Sequence, residues 1–182
     1  MDQGKGATAL GVELVAASRD QEPILANLLE LYIHDFSEFI PVDLGADGRF
    51  GYPNLPLYWT DPDRHSFLIR VDGQWAGFVL TINTKAESGD RRLWDMAEFF
   101  VLRGFRRRGI GQIVAHEVWQ RYSGPWQVRV MDANAGACRF WERAIGAFVG
   151  RPAGPAFAEI RGVPWHVFSF QTGPPESNPA AR

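Results

Sequence analysis

From residue 93 to residue 122 the chain passes through three kinds of sequence in quick succession. Residues 93–102 are apolar except for Asp95 and Glu98, which reads as a buried strand. Residues 103–108 form a basic turn, and 109–122 carry Ile110, Ile113, Val114 and Val118 on one helical face. A buried strand that feeds a helix through a short turn needs a sheet to sit in and a face for the helix to cover. The chain is therefore expected to form a mixed α/β domain around one sheet.

The remaining elements fit that frame. Val12, Leu14 and Ala16 alternate inward over 11–17, a first strand. Ser18 and Asp20 can cap the helix that follows, and Pro23 suits its first turn. Two stripes, Ile24, Leu28, Leu31 and Leu25, Leu29, Tyr32, Phe36, carry that helix toward Phe39, before Pro41. Residues 41–65 are a long connection rich in Gly, Pro, Asp and aromatics, with room for a short helix. Asp72-Gly73 between the apolar runs 65–71 and 74–82 is a hairpin signal, because both turn positions need positive φ. After a polar turn at 84–92 come the segment described above, a strand over 126–131, a helix over 134–145 opened by Asn134, and a last strand over 165–170. The order is β, α, β-β-β, α, β, α, β. Residues 1–10 read as a flexible start, 11–171 as the single domain and 172–182 as a disordered tail.

Composition narrows the function. The 182 residues match the roughly 100–200 of one domain and can bury a core without disulfides or metals. With 46% hydrophobic and 13% aromatic residues the chain is not disordered. Nineteen Lys and Arg against 21 Asp and Glu give a net charge of −2, which argues against a nucleic-acid or membrane-surface binder. The single cysteine, Cys138, excludes a disulfide framework and a Cys-rich zinc site, and fits a reducing, cytoplasmic setting. No run approaches about 18 apolar residues, so no membrane span is expected. The start lacks a basic region ahead of an apolar run, so no signal peptide is expected. His34, His65, His116 and His166 are scattered without the spacing of a helical zinc site, so no metal is expected.

The chemistry concentrates at the turn after the buried strand. Gly109 and Gly111 let a ligand approach the backbone. The helix N-terminus adds unpaired N–H donors and partial positive charge. Arg103, Arg106, Arg107 and Arg108 add full charge. Together they make a pyrophosphate cradle. The Lys-Ser/Thr of a nucleotide-hydrolysing P-loop is absent, and so is the three-glycine dinucleotide fingerprint. What remains is R-x-x-G-x-G, Arg106 to Gly111, with Val101 five residues before the Arg.

This pattern resembles motif A of the GNAT superfamily of N-acyltransferases, which bind acetyl-CoA. Asn134, Ala137, Phe140 and Trp141 in NAGACRFWER resemble the family's motif B, N-x-x-A-x-x-F-Y. The two stretches together also look like a subgroup of bacterial acetyltransferases with Phe-Trp in motif B. The likeness is specific over 66–148 and only topological over 12–65. It implies a central, mixed, mostly antiparallel sheet whose strand ending at Val101 splays from the next in a V. By resemblance, acetyl-CoA is the cosubstrate and an amine the acceptor. Phe100 and Val101 would supply backbone groups to the pantetheine arm. Arg106, Arg107, Arg108, Gly109, Ile110 and Gly111 would hold the pyrophosphate. Asn134, Phe140 and Trp141 would flank the cofactor. A backbone N–H near Val101 would polarise the thioester carbonyl, and the amine would attack directly in a ternary complex. Homodimers are common in the family.

A protonated amine must lose a proton before it attacks. Glu98, in its apolar strand, is the first candidate base, then Asp95, then Asp132. Trp141 stands where the family often has Tyr, and an indole N–H cannot act as the acid for the departing thiolate. Tyr122, Tyr58, Tyr52 or water could serve, and a thiol pKa near about 8.5 lets CoA leave without strong help. Asp35, Glu38 and Asp43 would suit a cationic amine or lie as surface charge, and Arg91-Arg92 reads most simply as a solvated turn. Cys138 lacks a base and falls inside a helix, so it reads as a small buried residue. The rival readings are a non-catalytic CoA-binding sensor, motivated by Trp141, and a nucleotide-phosphate binder unrelated to CoA.

Overall fold

A computed structural model of the chain describes residues 11–86 and 91–173. The segment 1–10 expected to be flexible, most of the expected tail and the middle of the 84–92 turn lie outside those residues. Ten principal elements follow in order: β1 (Val12–Ala16), α1 (Glu22–Phe36), β2 (Arg64–Val71), β3 (Gln74–Lys85), β4 (Arg92–Val101), α2 (Ile110–Arg121), β5 (Gly124–Met131), α3 (Ala135–Val149), β6 (Ala156–Ile160) and β7 (Val163–Thr172). They form one sheet in the order β1-β2-β3-β4-β5-β7-β6. Every pairing is antiparallel except β4 with β5.

The strong local signals give the expected structure. Asp72 and Gly73 have φ of 50° and 79°, and the β2–β3 hairpin turns on them. Asn134 caps α3, its side-chain oxygen accepting the Ala137 N–H at 2.9 Å. Pro23 lies in the first turn of α1, but neither Ser18 nor Asp20 caps that helix: Ser18 opens a 3-10 turn at Arg19–Gln21, its N–H donating to the Gln21 side chain at 3.1 Å, and α1 starts after Gln21.

The differences are instructive. β6 is absent from the sequence reading. It is a short edge strand with one face open to solvent, Phe157 being 66% exposed, and it is held by its pairing to β7 through a turn at Arg161 (φ 53°) and Gly162 (φ 76°). β7 runs to Thr172, into the expected tail. α1 stops at Phe36, short of Phe39, and only one of its two apolar stripes turns fully inward, so Leu31 is exposed. Ile113 likewise points to solvent, and Ala16 is exposed at the edge strand.

Helices cover both faces of the sheet. Under α1, Leu25, Leu28 and Leu29 pack with Leu68, Phe78, Leu80 and Phe100. On the other face α2 and α3 bury Val114, Val118, Trp119, Trp141 and Ile145 against Ile69, Val79, Val128 and Phe168.

Two irregularities shape the middle of the sheet. β4 and β5 pair only at Trp94 with Trp126 and Asp95 with Gln127, after which the strands part. This is the expected V. The β3–β4 register slips between Leu80 and Thr81, leaving Ala97 as the extra residue of a bulge. Strict alternation would set Met96, Glu98 and Phe100 on one face. The bulge instead leaves Met96 in the α2–α3 core and turns Glu98 and Phe100 toward α1.

Gly77 lets β3 lie against the end of β4. A Cβ there would sit 2.0 Å from the Phe100 carbonyl oxygen. Gly77→Ala must push β4 away, and such overpacking costs about 1–3 kcal/mol. The variant is expected to melt roughly 5–10 °C lower by calorimetry. An unchanged melting temperature would refute the close approach.

Candidate active site

A cavity of about 600 Å³ opens where β4 and β5 part. One end lies at the α2 N-terminus, against Gly109, Gly111 and Arg107; the middle lies between β4 and α3; the other end reaches Tyr32, Phe36 and Phe39 of α1 and the residues after it.

The α2 end is built from backbone. Among the described residues, the N–H groups of 109–112 have no acceptor, as expected where a helix begins. Arg107 (φ 62°) and Gly109 (φ 80°) adopt the left-handed conformation, the kind of turn that shapes anion-binding concavities. A Cβ on Gly109 would meet nothing within 4 Å, so the space in front of this turn is open. Gly111 serves packing instead: a Cβ there would press on the Phe140 ring at 3.1 Å. The Ile110 side chain is buried in the core, leaving only its N–H at the site.

The arginines divide. Arg106 turns back from the α2 end. Its Nε donates to the Val101 carbonyl at 2.6 Å and its guanidinium to Asp35 at 2.7 Å. Arg103 joins the same carboxylate at 2.8 Å. Against the cost of burial, these arginines hold the Asp35 carboxyl below its ordinary range. Arg106 lines the cavity together with Arg103, but its guanidinium is committed as a tie between α1 and the turn, which leaves less of it for the pyrophosphate expected there. Arg107 lines the cavity, as does Arg143 of α3, which the sequence reading missed. Arg143 continues the i, i+3 series Asn134, Ala137, Phe140, and that spacing was the available signal. Arg108 lies over the Phe105 ring, outside the lining. Arg92 sits at the opposite end of β4, bonded to Asn83.

The middle of the cavity corrects two further expectations. The Leu102 N–H donates to the Ala76 carbonyl, so backbone groups at 102 and, by alternation, at 100 face β3. The groups that face the gap are those of Phe99 and Val101, not Phe100. On α3, Phe140 lines the cavity while Trp141 is 5% exposed in the core, against Phe99 and Trp119. Neighbouring helical residues point about 100° apart, and the rotation of α3 here turns Phe140 to the cavity and Trp141 to the core.

The far end holds the carboxylates. Glu98 accepts hydrogen bonds from the Tyr32 hydroxyl at 2.6 Å and the Tyr52 hydroxyl at 3.0 Å. Burial pushes its carboxyl above the usual range, and the two phenols only partly offset this. Tyr52 is held by its own loop: Glu30 accepts the N–H groups of Phe50 and Gly51 at 2.8 and 2.9 Å. Asp95 is deeper, 3% exposed and paired with Arg129. Asp132 pairs with His166 at 2.8 Å, and neither Asp95 nor Asp132 lines the cavity. Asp35 and Glu38 line it, and Asp43 does not.

Of the four tyrosines, Tyr32 lines the cavity. The other three, expected from sequence as candidate acids, do not. Tyr122 stacks on His65 and Trp94, Tyr58 is buried, and Tyr52 sits behind Glu98. Burial raises the Cys138 thiol above its ordinary pKa, which disfavours a nucleophilic thiolate. Among the described residues no cluster of three or more His, Cys, Asp or Glu is placed to hold a metal, and no helix is long and apolar enough to cross a membrane.

Comparison with known proteins agrees with this architecture. The profile of the acetyltransferase (GNAT) family matches residues 25–147. No curated protein matches the sequence itself. Among solved structures, an acetyltransferase from Thermus thermophilus aligns with a TM-score of 0.62 at 15% identity, over 88% of this chain and 96% of that one. The spermidine N-acetyltransferase of Vibrio cholerae, in complex with CoA and spermine, gives 0.58 at 12% identity, over 88% and 95%. Arabidopsis thaliana NAA60, in complex with acetyl-CoA, gives 0.55 at 17% identity, over 88% and 98%. At such identities the likeness speaks for the fold.

Proposed function

The chain belongs to the GNAT family of acetyltransferases, and from that premise we propose that it moves an acetyl group from acetyl-CoA to the amine of a small molecule by direct transfer. The observation that carries this reading is one continuous cavity with a row of free N–H groups at one end and a desolvated carboxylate just behind the other. An anion cradle and a proton acceptor are the two things such a transfer needs.

In this reading the N–H groups of 109–112 and the Arg107 side chain hold the pyrophosphate, with Arg143 adding charge. Phe99 and Val101 offer backbone groups to the pantetheine, and the Val101 N–H polarises the thioester carbonyl. Asn134, Ala137 and Phe140 wall the arm. Glu98 is the final acceptor of the proton that the amine loses. The cosubstrate supplies an activated acyl group whose thiolate can leave unaided. A cavity of about 600 Å³ narrowed by the Asp35–Arg103–Arg106 tie suits a small acceptor better than a protein. The spermine complex of the Vibrio protein is consistent with an amine. The single cysteine is consistent with a cytoplasmic enzyme.

A thermal shift tests the cofactor. Acetyl-CoA at about 100 times its dissociation constant adds roughly 2.7 kcal/mol, or a rise of roughly 5–10 °C in melting temperature for a domain of this size. CoA should match it and ADP fall well short. No shift with any of them would reduce the turn to surface charge. A shift with ADP equal to that with acetyl-CoA would favour a plain nucleotide-phosphate binder. Trp141 in place of the family's tyrosine favours a second reading, a CoA-binding protein without turnover. Acetylation of any amine that disappears in Glu98→Gln eliminates it.

A further inference from the structure

We propose that Tyr32 is a catalytic residue, the group that takes the amine's proton and passes it to Glu98. The inference rests on the acetyl-transfer reading and adds a residue that neither motif contains.

Glu98 does not line the cavity, and both its oxygens are occupied, Oε2 by the Tyr32 hydroxyl at 2.6 Å and Oε1 by Tyr52 at 3.0 Å. Tyr32 does line it. An acceptor in the cavity therefore meets the Tyr32 side chain before it meets the carboxylate. Because Tyr32 donates its own proton to Glu98, its oxygen lone pairs are left to accept a hydrogen bond from the cavity side. The ring is fixed edge-on against Phe78 and Phe100, each with centroids 5.8 Å away, so the hydroxyl is held at Glu98, three residues before Val101 on the same strand. Burial and the neighbouring Glu98 charge keep the phenol protonated, which a proton conduit requires.

The step balances. The amine nitrogen bonds to the acetyl carbon as that carbon's bond to the CoA sulfur breaks. The nitrogen's proton passes to Tyr32 Oη while the phenol proton passes to Glu98 Oε2. The sulfur leaves as thiolate with the electron pair of the broken bond, and Glu98 later returns its proton to solvent by the same route. No acid is needed at Trp141.

Tyr32→Phe and Tyr52→Phe separate relay from scaffold, because each removes one hydrogen bond to Glu98 and keeps its ring. The assay follows thiol release from acetyl-CoA with phenylethylamine, spermidine and water as acceptors, beside the acetyl-CoA thermal shift. Tyr32→Phe is expected to keep the full shift and an unchanged KM for acetyl-CoA, while kcat falls about 100-fold or more. Tyr52→Phe should keep its plateau kcat within a few-fold. Its acid limb should move to higher pH, because one bond stabilising the Glu98 carboxylate is gone. The groups that face Glu98 and set that limb are Tyr32, Tyr52, Tyr58, Asp95 and Arg129. Equal losses in the two variants, or a Tyr32→Phe enzyme with wild-type kcat and pH profile, would overturn the relay and leave Glu98 as the group that meets the amine. A wild type that binds acetyl-CoA but releases no thiol with any of the three overturns the transfer reading, and the relay falls with it.

Discussion

Gly109→Glu is expected to fold and to lose acetyl-CoA binding. Gly109 is the N-cap of α2 with φ 80°, and a Cβ there meets no atom within 4 Å. The new side chain therefore does not break packing; it projects into the space in front of the free N–H groups. A carboxylate at that position satisfies those donors itself and repels a pyrophosphate. The left-handed conformation costs a non-glycine residue about 1–2 kcal/mol, so the unliganded variant should melt only a few degrees lower. Its dissociation constant for acetyl-CoA should rise more than about 100-fold, which removes a stabilisation of roughly 2.7 kcal/mol and with it the ligand-induced shift. Isothermal titration beside thermal melts separates the two effects. A variant that still shifts like the wild type would mean that the cofactor binds elsewhere.

Glu98→Gln is expected to separate activity from stability. Without the proton acceptor, kcat should drop by about 10²–10⁴ while acetyl-CoA binding persists. Stability should move the other way. The folded-state pKa of Glu98 is raised, chiefly by burial, so the folded protein holds this proton over a pH range where the unfolded chain has lost it. Its contribution to stability is therefore most favourable below the ordinary carboxylate pKa and declines as pH rises through the elevated value. At neutral pH the ionised form is a cost that a neutral amide does not carry, and an amide oxygen can still accept a phenol hydrogen bond. The variant should melt at or above the wild-type temperature at pH 7 and lose part of the pH dependence of melting. A variant that melts several degrees lower and keeps its kcat would refute both halves.

These variants sit at positions that the sequence reading reached with unequal ease. Gly109 was legible because everything that makes it special is local: a strand before it, a helix after it, arginines beside it. Glu98 was legible as an anomaly, a carboxylate in an apolar strand, but not its partners. Tyr32 read as one apolar position in a helical stripe. Nothing within a few residues of it announces a hydroxyl aimed at a carboxylate 66 residues away. The Ala97 bulge, which turns Glu98 toward α1, is a mismatch between two strands and has no signature in either alone. Trp141 is the converse case. Motif B puts Phe140 and Trp141 side by side, but the rotation of α3 against the sheet decides that the smaller ring meets the cavity and the larger fills the core.

Local sequence sufficed for the order of every principal element but β6, the hairpin at Asp72-Gly73, the Asn134 cap and the strand–turn–helix cradle. Each depends on hydrogen bonds and dihedral preferences within a few residues, which the succession of glycines, caps and apolar positions encodes. The packed fold dictates what the cavity's charged groups do. Arg106 is drawn from the α2 end by Asp35, 71 residues earlier in the chain, and Glu98 is clasped by tyrosines 66 and 46 residues before it. Those pairings exist only once α1 and the loop held by Glu30 lie across the sheet, because burial, not local preference, brings the groups together and raises the cost of leaving them unpaired.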